Sequence, residues 1–118
     1  MGTFNTLHAP AQCPACQFTY PGEYQFKFGL TWLLDYHLGD KLQWDDSKAN
    51  IGKPHLARVK IYAVLANDTC PNCGVKRDKY TDEFDIHVEN DVLLSITPME
   101  TYDIYMNEPD AEGDYAIL

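Results

Sequence analysis

Apolar and polar residues alternate along several short stretches of the chain, which is the pattern of strands with one buried face. The clearest stretch is RVKIYAVLA at residues 58–66, in which every second residue from Val59 is apolar. Residues 23–28 and 83–88 alternate in the same way, and residues 3–8 form a shorter candidate. Together with the runs described next, these stretches predict five to seven strands.

Turn-forming residues separate further β-compatible runs. Gly39-Asp40 interrupts TWLLDYHLGDKLQW at residues 31–44 and predicts a hairpin, with a short helix over 31–37 as the alternative. Asn90-Asp91 predicts a turn into a strand over 92–96, which Pro98 ends. Residues 45–54 are polar and contain Gly52 and Pro54, so we expect a loop there.

These elements predict a mainly β fold, a small antiparallel β domain with little helix. The 118 residues correspond to a single domain, 1–118. Eight Tyr, five Phe and two Trp support a packed sheet, because aromatic side chains favour strands. From about residue 103 the chain becomes an acidic C-terminal tail, which we expect to be partly ordered and to dock through its tyrosines.

The net charge of −9 is unevenly distributed. Residues 48–79 carry seven basic and two acidic residues, a net of +5, so the remainder carries −14. The last eighteen residues hold five acidic residues and no Lys or Arg. This balance argues against a general affinity for nucleic acid or anionic membranes, and it favours a basic partner.

The sequence also predicts the compartment. No segment approaches the roughly 20 apolar residues that span a bilayer. The first residues, MGTFNTLHAPAQ, lack the basic and apolar regions of a signal peptide, so we expect a cytoplasmic protein without a membrane partner. Because thiols stay reduced in the cytoplasm, paired cysteines there indicate metal or redox chemistry in preference to structural disulfides.

All four cysteines occur in two matched pairs, CPAC at 13–16 and CPNCG at 70–74. A CxxC pair can place two thiolates on one cation from a single tight turn. The proline fixes φ after the first cysteine, and a glycine after the second permits a positive φ where the chain leaves the turn. CPNCG has both features, whereas Gln17 stands in place of the glycine in the first pair. Two such pairs supply the four sulfurs of a tetrahedral structural zinc site.

CPNCG resembles the knuckle of zinc-ribbon and rubredoxin-like proteins, and CPAC is similar. The resemblance covers only these knuckles, which are separated by 53 residues, 17–69, where ribbons have about 15–20. It implies a split two-knuckle zinc-ribbon-like site with one structural Zn²⁺ per chain, or Fe as in true rubredoxins. The implied ligands are Cys13, Cys16, Cys70 and Cys73.

Two redox-active pairs, or two separate metal sites, are the alternatives to a single four-cysteine site. Against redox chemistry, neither pair begins a helix in a βαβ context, as thioredoxin-like nucleophiles do. A four-cysteine zinc shell is closed, whereas a catalytic zinc keeps one position open for water. The metal therefore favours a role in folding and argues against metal-based catalysis.

Few other residues suggest chemistry. His87 lies between Asp85 and Glu89 on one strand face and is a candidate oriented base, although alternating polar residues are typical of a solvated sheet face. Asp35 and His37 share a face in the same way, and His8 is a candidate substitute for a cysteine ligand. No Ser-His-Asp pattern, phosphate-binding loop or HExxH motif occurs, so we expect no catalytic residues and no enzyme.

We therefore predict a non-catalytic, acidic, zinc-binding protein–protein interaction module with a basic protein as partner. One version is a bacterial inhibitor or immunity-type protein that covers a basic nuclease or toxin. The first alternative is a nucleic-acid-associated zinc-ribbon protein that binds through Lys76, Arg77 and Lys79, with aromatic residues as a stacking platform. The second is a rubredoxin-like electron carrier with iron in the four-cysteine site.

Overall fold

The computed structural model describes residues 3–46, 49–78, 81–108 and 113–118. The strands in these ranges are β1 (Asn5–Gln12), β2 (Thr19–Phe26), β3 (Gly29–Leu30), β4 (Asp35–His37), β5 (Asn50–Ile51), β6 (Val59–Leu65), β7 (Glu83–Glu89), β8 (Val92–Pro98) and β9 (Tyr115–Ile117). The helix is α1 (Asp103–Met106). The predicted mainly β fold with little helix is confirmed. Within the same ranges no helix has the length and apolar character needed to cross a membrane.

One sheet contains seven of the strands, in the order β4-β1-β2-β6-β7-β8, with β9 also paired to β6. All of its pairs are antiparallel except β1 with β4, which is parallel. β6 lies at its centre, with β7 along one edge and β2 and β9 sharing the other. The alternating apolar residues of β6 are buried as the pattern predicts, at Val59, Ile61, Ala63 and Leu65.

The core fills the concave side of this sheet. It combines the inward residues of β6 with large side chains from its neighbours, and aromatic rings pack edge-on within it, as in the Tyr24–Phe84 pair. The largest fully buried side chains include Tyr24, Tyr36, Phe28, Leu7, Ile86 and Leu93. Burial of apolar area at about 25 cal/mol per Å² supplies the main stabilising term.

The predicted turn at Gly39 is present, but the predicted hairpin is wrong. β4 precedes the turn and pairs with β1, whereas residues 40–42 follow it and bond to the start of β8. Gly39 N donates to Leu93 O at 2.7 Å, and Leu93 N donates to Asp40 O at 3.0 Å. The turn thus connects the two ends of a curled sheet, and the alternative helix over 31–37 does not form.

The predicted loop over 45–54 contains a short strand within its described part. β5 pairs with β3 to form a separate two-stranded sheet. Gly52 follows β5 with a φ of 82°, and a Cβ at this position would collide with the buried ring of Phe28. The segment is therefore anchored to the core on one side.

The acidic C-terminal segment contributes two elements to the fold. α1 places Tyr105 against the outer face of the sheet, where it packs with Tyr62 and Tyr102. The Tyr105 hydroxyl is buried and donates a hydrogen bond to the buried Asp85 carboxylate, while Lys60 Nζ lies 3.8 Å from the other carboxylate oxygen. β9 then extends the sheet along β6. The described parts of the tail are thus more ordered than we expected.

We expect Tyr105→Phe to lower the free energy of unfolding by about 1–3 kcal/mol, because it removes a donor from a buried carboxylate. Burial, followed by the Asp85 hydrogen bond, raises the pKa of Tyr105, so the hydroxyl stays protonated and can donate. Urea denaturation followed by tyrosine fluorescence measures the change.

Tyr102→Phe is the matched control, since its hydroxyl makes a longer, half-exposed hydrogen bond of 3.4 Å to Gly113 O. We expect a loss below about 1 kcal/mol for this variant. Equal losses for the two variants would show that ring packing, and not the bond to Asp85, holds α1 in place.

Candidate metal centre

The first cysteine pair forms the loop of the β1–β2 hairpin. Cys13 follows β1 directly, its N–H donates to Phe18 O at 2.9 Å, and its carbonyl accepts from Gln17 N at 2.8 Å. Gln17 adopts a φ of 65°, the left-handed conformation that glycine adopts most readily. The hairpin thus folds the knuckle without the glycine that the motif normally has.

The second pair forms the same turn after β6. Cys70 N donates to Val75 O at 3.0 Å, and Cys70 O accepts from Gly74 N at 2.9 Å. Gly74 has a φ of 77° and occupies the position that Gln17 holds in the first knuckle. Two segments far apart in the chain therefore adopt one hydrogen-bonding pattern.

Asn67 holds the second knuckle beside the first. Its side chain accepts from Glu23 N at 2.9 Å and donates to Pro21 O at 2.8 Å, and its carbonyl accepts from the Tyr20 hydroxyl at 3.1 Å. These bonds connect the chain after β6 to β2. Sequence analysis did not identify Asn67, whose only local signal is an amide side chain three residues before a knuckle.

The four cysteines come together in one cluster, with their sulfur atoms all within 4.8 Å of one another. Cys13 Sγ lies 3.6 Å from Cys73 Sγ, and Cys16 Sγ lies 3.7 Å from Cys70 Sγ. A disulfide would need about 2 Å, so the thiols are free. A tetrahedral ion with metal–sulfur bonds of about 2.3 Å keeps its sulfurs about 3.8 Å apart. The spacing fits a single ion with four sulfur ligands.

Backbone and side-chain donors point at the sulfurs. Cys16 N lies 3.5 Å from Cys13 Sγ, and the Cys70 sulfur accepts from Asn72 N at 3.3 Å and Cys73 N at 3.4 Å. The Asn72 side chain adds a contact of 3.7 Å to Cys16 Sγ. Such donors offset the negative charge of thiolates and orient them towards a bound cation.

The thiols differ in their readiness to lose protons before any metal binds. The Cys16 N–H lowers the pKa of Cys13 to about 6, and the Phe18 N–H lowers the pKa of Cys16. At Cys73 the Val75 N–H favours the thiolate, but desolvation and the other sulfurs outweigh it and raise the pKa to about 12. A bound divalent cation would stabilise all four thiolates.

Each knuckle contains one buried and one exposed cysteine. Cys13 and Cys70 are buried, whereas Cys16 and Cys73 are exposed. The cluster therefore lies at the surface, with half of its donors packed against the sheet. With four sulfur donors, a tetrahedral ion has no open position for a substrate.

The basic residues after the second knuckle have different surroundings. Arg77 donates to Gln12 O and Thr81 O and lies 5.6 Å above the Phe84 ring, so it connects the two knuckle-bearing segments. Lys76 is exposed. Lys79 lies outside the described residues.

The histidines lie apart from this cluster, which among the described residues contains cysteines alone. His8 Nε2 instead pairs with Asp35 at 2.9 Å on the neighbouring strand, where its ring also stacks on His37. His87 Nε2 bonds to Thr97 Oγ1 at 2.9 Å. The two acids expected on its strand face have other partners, since Asp85 accepts the bond from Tyr105 and Glu89 Oε1 lies 3.9 Å from Arg58 Nε.

Comparisons with known proteins give no relative for this arrangement. The chain matches no protein-family model, no curated protein and no solved structure. The resemblance to zinc ribbons therefore remains limited to the two knuckles.

We expect the apparent affinity for zinc to fall on acidification, because every protonated thiol must release its proton when metal binds. The dependence should steepen as the pH falls through about 6, where Cys13 also becomes protonated in the metal-free state. Competition titrations against a chromophoric chelator across this range measure the affinity. An affinity that does not change with pH would contradict binding through these thiols.

Proposed function

We propose that the protein binds one structural Zn²⁺ through Cys13, Cys16, Cys70 and Cys73 and acts as a non-catalytic protein-binding module. The observation that carries the metal assignment is the sulfur spacing of 3.6 and 3.7 Å between the knuckles, close to the edge of a tetrahedral four-sulfur site. The all-sulfur donor set favours zinc or iron over magnesium or calcium, which prefer oxygen.

Zinc at this site stabilises the fold. It connects the β1–β2 hairpin to the chain between β6 and β7, and it closes a loop of more than 50 residues. Closure of so long a loop removes conformational freedom from the unfolded chain, and metal binding adds several kcal/mol or more. The closed sulfur shell supports binding in preference to catalysis.

Elemental analysis of protein of known oligomeric mass should give one zinc per chain, and a chelator should lower the melting temperature. Cys73→Ser should lose the metal and reproduce the chelator effect, because serine is a poor zinc ligand. Ala15→Ser is the control, since it adds a hydroxyl to the first knuckle without removing a sulfur. A coloured protein that contains iron would support the electron-carrier alternative, and metal-free protein with oxidised cysteine pairs would contradict the metal site.

An acidic surface supports the protein-binding half of the proposal. The chain carries −9 overall, and three of the seven Lys and Arg residues in the described ranges have partners within the fold. Arg58 Nε lies 3.9 Å from Glu89, Lys60 Nζ lies 3.8 Å from Asp85, and Arg77 binds carbonyl groups. A basic protein is the partner that this charge favours.

The arrangement of the basic residues gives less support to nucleic-acid binding. Arg58 immediately precedes β6, whereas the basic residues of the second knuckle follow the other end of this strand. The two groups of basic residues therefore lie about 20 Å or more apart. A phosphate backbone would need them on one continuous face.

The two partner classes can be separated by their binding at low salt. Immobilised protein should retain basic proteins from a lysate at about 50 mM salt and release them as the salt rises, because screening weakens charge attraction. Mixed-sequence oligonucleotides should not bind under the same conditions. Retention of acidic proteins alone, or of no protein, would contradict the proposed function.

A further inference from the structure

Two large apolar residues that are adjacent in the sequence are both mostly exposed at one end of the sheet. Trp32 is 66% exposed and Leu33 is 62% exposed, in the turn between β3 and β4. We call residues 31–34 the Trp32–Leu33 turn. Single exposed apolar residues are common, but two consecutive ones of this size require an explanation.

A buried asparagine holds the backbone of this turn in place. Asn5 is fully buried on β1, and its Oδ1 accepts from Trp32 N at 3.2 Å and Leu34 N at 3.1 Å. Its Nδ2 donates to Leu30 O at 2.9 Å and Phe28 O at 3.3 Å. All four hydrogen bonds of this side chain are therefore made to the backbone of residues 28–34, the segment that carries the two apolar residues.

Flanking bonds fix the turn further. Leu33 N donates to Phe4 O at 2.9 Å, and the Thr3 hydroxyl donates to Thr31 O at 2.7 Å. A surface loop held at so many points loses little conformational entropy when a partner binds it. The turn therefore holds Trp32 and Leu33 on a preorganised backbone, as expected for a contact site.

Leu33 has a backbone conformation that its side chain disfavours. Its φ of 57° lies in the left-handed region, where Gly and Asn are common and a branched apolar residue is rare. Because the side chain is mostly exposed, the apolar area that it buries within this chain does not offset the free-energy cost of this backbone conformation. Strain of this kind is concentrated at functional positions.

We propose that Trp32 and Leu33 are the anchor residues of a protein–protein interface and insert into an apolar cleft with a basic rim on the partner. Acidic groups beside the turn provide the charge complementarity. Asp45 lines the same recess as Trp32, and Asp35, which pairs with His8, lies just beyond the turn in the sequence. Exposed Trp is the residue type most enriched among interface hot spots.

The same charges disfavour two other occupants. A second copy of the chain also has a net charge of −9, so the two copies would repel each other. An anionic membrane would repel the carboxylates beside the turn. The inference deepens the protein-binding half of the proposed function and rests on it, but it is independent of the metal.

Site-specific photocross-linking tests the assignment in cells that produce the protein naturally. p-Benzoylphenylalanine replaces Trp32 in one variant and Phe18 in the control, because Phe18 is 43% exposed at the opposite end of the β1–β2 hairpin. We expect a protein adduct from position 32 and not from position 18. Its cross-linked peptide should lie in an apolar cleft flanked by Lys or Arg.

The partner is then purified and titrated against variants without the cross-linker. Trp32→Ser combined with Leu33→Asn should weaken binding by at least about 30-fold, as loss of a hot spot does. Leu94→Thr, at a side chain that is 47% exposed on β8, should leave the affinity within about two-fold. Since Asn adopts the left-handed conformation easily, Leu33→Asn alone should weaken binding without lowering the melting temperature.

Each contrary outcome has a separate meaning. A partner that binds the double variant as tightly as the wild type would overturn the inference and leave the proposed function intact. Adducts consisting only of a second copy of this chain or of lipid would also overturn it. If neither cross-linking position nor the immobilised protein captures any protein, the proposed function fails, and this inference fails with it.

Discussion

The short pairing between β2 and β6 is the constraint on which the rest of the fold depends. It joins the half-sheet β4-β1-β2 to the half-sheet β6-β7-β8, yet its register covers only residues 24–26 against 63–65. The β1–β2 ladder has eight residue pairs, and the β6–β7 ladder has six. After Leu65 a single further backbone bond, from Ala66 N to Glu23 O at 2.8 Å, continues the pairing with β2. Beyond it the bonds of Asn67, the contacts of Arg77 and the cysteine cluster take the place of a ladder. A metal on these sulfurs would connect the two halves where their backbone pairing ends, which gives a physical reason for knuckles so far apart in the chain.

Sequence analysis identified what depends on nearest neighbours along the chain. Period-two alternation located β6 and β7, because successive side chains of a strand point to opposite faces of the sheet. The CxxC spacing likewise located all four sulfur donors. The turn at Gly39 was also correct, but its flanking strands pair with β1 and β8 instead of each other. A turn residue specifies local φ and ψ, whereas the choice of a partner strand depends on which faces the whole core buries.

The polar residues that organise the fold could not be identified in this way. Asn5 and Asn67 bond to groups at least 23 residues away, and Asp85 is buried only because α1 returns over the sheet to place Tyr105 against it. In the sequence they cannot be told from ordinary turn or surface residues, because Asn and Asp are the residue types typical of turns and solvated faces. Their burial is a property of the assembled fold, and each one satisfies several groups that would otherwise be left unpaired. The same return of the chain explains why an acidic tail contains a strand of the central sheet.

The cysteine cluster and the Trp32–Leu33 turn lie at opposite ends of the same hairpin. β1 begins at Asn5, which holds the turn, and ends at Gln12, next to the first knuckle. At about 3.4 Å per residue, the two features are more than 20 Å apart. The proposed partner on Trp32 would therefore not need to approach the cysteine cluster, and zinc bound there would influence binding only by stabilising the strands that carry Asn5. Stability at one end of the hairpin then permits strain at the other, since a disfavoured φ at Leu33 persists only where the surrounding structure is held firmly.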